Sequence, residues 1–149
     1  MATYALPVSA KSSITITLAS LASATYVASS AVDLTSIDPT DVIIEVEITP
    51  GTVSGNKQAK IFVQTSINGT DYSTGPTSGT TVTDEPNLIQ IGTLPLLTNS
   101  TLQRRMFSVA AALGWVPPYF KLVVFNDSGA AFAGSGCSAG YATQTGTSV

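Results

Sequence analysis

The chain has 149 residues, enough for one domain with one core of useful size. Hydrophobic residues make up 44% of it and charged residues 10%, against about 25% charge in a typical soluble domain, so uncharged Ser and Thr must cover much of the surface. Six Lys plus Arg and a net charge of −3 leave Arg104 and Arg105 as the one adjacent basic pair. That excludes the basic stripe that displaces counterions from phosphate, and with it nucleic acid as a partner.

The first eleven residues read as an arm, with Tyr4, Leu6 and Val8 as its apolar points. No basic stretch followed by a continuous apolar run marks a leader there, and no run of about 18 apolar residues predicts a membrane span. Ser12–Leu18 alternates polar and apolar, which predicts a half-buried strand with Ile14, Ile16 and Leu18 inward. Short strands are expected around Thr25–Val27 and from Val32. Asp38-Pro39-Thr40-Asp41 reads as a type I turn.

Val42–Thr49 follows as the cleanest strand: Val42, Ile44, Val46 and Ile48 take one face, while Ile43, Glu45 and Glu47 take the other, toward solvent or a partner. Pro50-Gly51 stops it. Lys60–Ile67 is the next strand, with Ile61, Val63 and Ile67 on one face, and Asn68-Gly69 turns the chain. Ser73–Thr83 reads as a loop, Leu88–Ile91 as a short strand and Thr101–Ala112 as a strand in preference to a helix. Tyr119–Asn126 is so continuously apolar that both of its faces should be covered. A last strand is expected over Ser135–Thr143, before a frayed tail. The sum is about eight short strands separated by Gly, Pro and Asn turns. This predicts an all-β, antiparallel β-sandwich, jelly-roll-like, divided into an arm (1–11), a single domain (12–143) and a C-terminal tail (144–149).

The search for chemistry returns little. There is no histidine, so a Ser-His-Asp triad, a Cys-His pair and histidine metal sites are excluded. Cys137 stands alone among small residues, which excludes an intrachain disulfide and suggests a small core residue. Glu45 and Glu47 are spaced about 7 Å apart along one strand face, as neighbouring exposed acids ordinarily are. Asp33, Asp38 and Asp41, and the pair Asp84 and Glu85, are better explained by turn chemistry than by calcium. The sequons at Asn68, Asn99 and Asn126 are expected by chance in a chain this rich in Ser and Thr. We therefore expect no enzyme and no cofactor.

Two segments carry a resemblance. Lys60–Ser73 has a strand meeting the turn Ser66-Ile67-Asn68-Gly69-Thr70-Asp71-Tyr72, and it resembles the S-x-D/N-G-x-x-Y/F pattern of tailed-phage head and tail β-sandwiches. Trp115–Ala131, with Pro118-Tyr119-Phe120-Lys121-Leu122-Val123-Val124-Phe125-Asn126, is similar to a segment near the end of small phage particle proteins. Together they cover about a fifth of the chain. The resemblance implies a virion structural protein, made in the host cytoplasm and carried on the capsid surface. It implies a decoration (cement) protein that sits on the shell as a homotrimer with the major capsid protein as its partner. Candidate contact residues are Tyr4, Leu6 and Val8 of the arm and Arg104 and Arg105, with the Ser73–Glu85 loop and the Thr93–Arg105 connection. An arm lying on a neighbour would explain its apolar residues; the alternative is a merely disordered arm. A second reading is a carbohydrate-binding module of a tail or fibre, using Tyr26, Tyr72, Trp115, Tyr119 or Tyr141. A third is a tail or connector subunit.

Overall fold

The computed structural model describes residues 4–148. Their strands are β1 (Tyr4–Ala5), β2 (Ser12–Ser13), β3 (Tyr26–Ala28), β4 (Val32–Asp33), β5 (Asp41–Ile48), β6 (Gln58–Ser66), β7 (Ser78–Gly79), β8 (Ile89–Pro95), β9 (Gln103–Ser108), β10 (Tyr119–Asp127), β11 (Ser138–Gln144) and β12 (Thr147–Ser148). A one-turn helix, α1 (Val109–Leu113), and a 3-10 turn at Glu85–Asn87 complete the set. Two antiparallel sheets face each other. One has four strands in the order β2-β11-β5-β9; the other has six, β7-β3-β10-β6-β8, with β4 continuing the β3 edge alongside β10. The all-β sandwich expected from the sequence is present.

Alternation builds the core. Val42, Ile44, Val46 and Ile48 of β5 are fully buried, and across the gap they meet Ala59, Ile61 and Val63 of β6 and Phe120, Leu122 and Val124 of β10. β10 is covered on both faces, as its composition predicted. Its other parity, Val123 with Phe125, joins Tyr26, Phe62 and Leu88 in a second, smaller apolar cluster on the outer side of the six-stranded sheet. The segment Ser73–Leu88 closes over that cluster. Leu88 packs into it, the Gln64 amide donates to the Ser73 carbonyl at 2.8 Å, and the Tyr26 hydroxyl donates to the Glu85 carboxylate.

Several expectations are corrected. Of Ser12–Leu18 only Ser12 and Ser13 join a ladder, because beyond them the chain crosses toward the other sheet, where the Ser30 N–H donates to the Thr15 carbonyl. Ile14 and Leu18 are nevertheless buried. Ile67 is 80% exposed rather than inward. β6 ends at Ser66, whose hydroxyl accepts from the N–H groups of Asn68 and Gly69 and turns the chain first. Gly69 has φ 74°, and a Cβ there would stand 2.9 Å from the Tyr119 ring. The turn assigned to Asp38–Asp41 lies earlier: the N–H groups of Ile37 and Asp38 both donate to the Leu34 carbonyl. Thr101–Ala112 is not one strand. β9 ends at Ser108, which caps α1 by accepting from the Ala111 N–H, and Gly114 at φ 80° stops the helix.

The arm and tail pair with each other. Tyr4 and Ala5 face Ser148 and Thr147, Val8 bridges Gln144, and the Ser9 N–H donates to the Thr143 carbonyl. Met1–Thr3 of the arm and Val149 of the tail lie outside the described residues.

Candidate interaction surface

The two outer faces of the sandwich differ. Ser73–Leu88 covers the six-stranded sheet, whereas the outer face of the four-stranded sheet carries only the crossing arm. The ladder registers define its rows: Met106 beside Glu45 beside Gly140, Arg104 beside Glu47 beside Ser138, and Ser108 beside Ile43 beside Ala142.

Four charged side chains interlock across these rows. Lys11 Nζ lies 2.5 Å from one Glu45 oxygen and 3.7 Å from Glu47, while Arg104 Nη2 lies 2.6 Å from Glu47 and its Nε 3.8 Å from Glu45. The Ser138 hydroxyl donates to the second Glu47 oxygen at 3.1 Å. Two cations balance two anions, so the cluster is neutral. Burial alone would raise the Glu47 carboxyl, but the Ser138 hydroxyl, Arg104 and Lys11 outweigh it and hold it below the ordinary value. The bond to Glu45 leads the causes that hold the Lys11 ammonium above its ordinary value.

Beside this cluster is an open cleft of about 210 Å³ whose walls are mainly apolar: Val8 from the arm, Ile43, Met106 and Ala142. Val8 and Met106 are 55% and 59% exposed. Gly140 makes the arm's approach possible, since a Cβ there would stand 2.8 Å from the Ser12 carbonyl oxygen and 2.9 Å from the Lys11 stem.

The five candidate contact residues separate. Val8 and Arg104 come together on this face. Leu6 is exposed farther along the arm, and Tyr4 lies in β1. Arg105, on the opposite parity of β9, turns toward β8, where its Nη1 donates to the Thr93 carbonyl at 2.9 Å and its guanidinium lies over the Phe107 ring. Sequence reasoning did not single out Lys11, Met106 or Ala142. The parity of Ile43, Glu45 and Glu47 was the available signal, but the strands flanking β5 were not.

The other candidates resolve into structural roles. Tyr26 is buried, and burial first, then its bond to Glu85, raises its hydroxyl. Tyr72 lies under the Lys121 ammonium, Tyr119 packs on Gly69, and Tyr141 meets Phe120 edge-on while also lining the cleft beside Ala142. Of these five aromatics Trp115 alone is exposed. Asp33 accepts from the Thr35 N–H and hydroxyl; Asp41 accepts from the Ser108 hydroxyl and the Ala110 N–H, which ties α1 to β5. Among the described residues no group of three or more His, Cys, Asp or Glu is placed to hold a metal ion. Cys137 is half-buried, and burial raises its thiol. Asn126, in the third sequon, is fully buried and fully hydrogen-bonded, which closes it to modification. No known family model matches the chain, and no curated protein matches it.

Proposed function

We propose that the chain is a non-enzymatic structural protein of a tailed-phage particle, a decoration protein that binds the outer capsid surface and ties neighbouring capsid subunits together as a homotrimer. The observation that carries this reading is the outer face of the four-stranded sheet, a charge-balanced surface with an open apolar cleft, which suits contact with another protein surface. The resemblance supports it as well: its two segments form β6, its following turn and β10, the centre of the six-stranded sheet. We also read the strand order as jelly-roll-like. With β3 and β4 counted as one strand, and β1, β7 and β12 left aside, the sheets run first-eighth-third-sixth and second-seventh-fourth-fifth. The first and last strands are then neighbours, as two interleaved Greek keys require. Repeated modest contacts suit a cement protein, because many copies on one lattice multiply a weak attachment.

Quantitative mass spectrometry of purified particles tests this. Copy numbers near those of the major capsid protein are expected. A few dozen copies or fewer would favour a tail, connector or fibre component, and absence from particles would overturn the structural reading. The carbohydrate-binding alternative rests on Trp115, 44% exposed beside Pro117 and Pro118. It predicts glycan-array binding that Trp115→Ala abolishes.

A further inference from the structure

We infer that the outer face of the four-stranded sheet is the docking face, and that its cleft receives one uncharged apolar side chain from a subunit of the shell. This rests on the decoration reading and adds which cleft of that face makes the contact and with what chemistry.

Four observations lead there. First, the sandwich covers one outer face with its own Ser73–Leu88 segment and leaves the other open. Second, the cleft of about 210 Å³ is smaller than the roughly 300–1,000 Å³ of small-molecule pockets and of a size for one large side chain. Third, the area argues against a second copy of this chain as the occupant. Val8 and Met106 are the large apolar side chains of the cleft that stand open, each by a little over half. Two side chains cover far less than the about 800 Å² per partner that a stable interface buries, so this cleft by itself does not hold a dimer in solution, whereas a lattice offering many sites uses such a contact well. Fourth, Lys11, Glu45, Arg104 and Glu47 already satisfy one another. A charged group entering beside them would lose water without gaining a free counter-charge, so the entering side chain is neutral and binding depends little on salt.

The test uses the purified full-length chain and shells of the virus that encodes it, assembled without it, with co-sedimentation as the readout. Met106→Lys places a cation in the cleft opposite Glu45, at an exposed position where folding should survive. Ile67→Lys, at an 80% exposed site in the turn after β6 and outside every candidate contact, is the control. Circular dichroism confirms that each variant is folded, and Val8→Lys replaces Met106→Lys if that variant is not. We expect the wild type and Ile67→Lys to bind alike and Met106→Lys to bind at least about tenfold more weakly. Raising salt from about 0.1 to about 0.5 M should change wild-type binding by less than about threefold. If Met106→Lys binds like the wild type, or if salt abolishes binding, the docking face is wrong while the decoration reading stands. If the wild type does not bind the shells at all, the decoration reading fails and takes this inference with it.

Discussion

Asn126 offers the sharpest test of the packing. It is fully buried in β10, and its amide uses its whole hydrogen-bonding capacity. Nδ2 donates to the Leu21 and Ala130 carbonyls, both at 2.8 Å, while Oδ1 accepts from the Ser128 N–H at 3.0 Å and the Ser128 hydroxyl at 2.6 Å. Asn126→Ala removes all four, but the losses are unequal. The Leu21 carbonyl keeps the Phe132 N–H, and the Ser128 hydroxyl, released from Asn126, is within reach to donate to the Ala130 carbonyl, so neither is orphaned. The Ser128 N–H is left without a partner in a buried site, and a small void opens. Four bonds at a net of about 1 kcal/mol each, reduced for the two carbonyls that stay satisfied, give a loss of about 3 kcal/mol. For a chain of this length that lowers Tm by about 6–12 °C. Urea unfolding followed by fluorescence measures it, and a loss below about 1 kcal/mol would refute the account of the network. Asn126→Asp should be worse at neutral pH, because a carboxylate then faces two carbonyl oxygens. Its carboxyl would be raised on folding. The stability it retains is therefore fully present below the unfolded carboxyl value and is lost as pH rises through the folded one, so this variant should gain on the wild type as pH falls.

Other expectations follow from single contacts. Tyr26→Phe removes the hydroxyl that holds Glu85, so it should cost about 1 kcal/mol and speed proteolysis within Ser73–Leu88; unchanged cleavage would mean that Leu88, the Gln64 bond to Ser73 and the β3–β7 pairing hold the segment without it. Gly92→Ala places a Cβ 2.6 Å from the Phe107 ring, so it should cost at least about 1–3 kcal/mol by thermal melting, with Phe107→Leu in the same chain recovering part of the loss. Glu47 is held below the ordinary carboxylate value, so its contribution is present above that value and lost as pH falls through the lowered one. Glu47→Gln should accordingly flatten the acid limb of the stability curve. The Cys137 thiol, raised by burial, should react with a disulfide reagent more slowly in the folded chain than after unfolding, and equal rates would place it in open solvent.

The parts of the fold legible in the sequence were those where one parity meets the core. β5 alternates without fault, and β10 announces its two buried faces by having almost no polar break. Where tertiary geometry decided, pattern misled. Phe107 and Val109 share a parity and suggested a strand through Ala112, yet Ser108 and Gly114 carried the signs of a helix cap and stop around Val109–Leu113. Ile67 continues the parity of Ile61 and Val63, but a parity holds only while the ladder lasts, and the Ser66 hydroxyl ends it. The outer face of the four-stranded sheet was half legible for a similar reason. Glu45 and Glu47 could be assigned outward from β5 alone. That Lys11 and Arg104 would neutralise them depends on which strands lie on either side of β5, and no local pattern carries strand order.

That strand order also limits how far the open apolar face invites aggregation. A bare sheet face with an unbalanced charge row would attract any oppositely charged surface, and one with no charge would invite aggregation. Here the ion pairs lie beside the apolar cleft, and the arm, pinned by Lys11 to Glu45 and by Ser9 to Thr143, narrows the open part to one side chain's width. Lys11→Ala should then widen the cleft and loosen the arm together. Hydrogen exchange at Ser9 and Thr143 should accelerate, and self-association of the variant should rise with concentration. If exchange at both amides stays at the wild-type rate, the ladder itself holds the arm, and the ion pair serves only to neutralise the face.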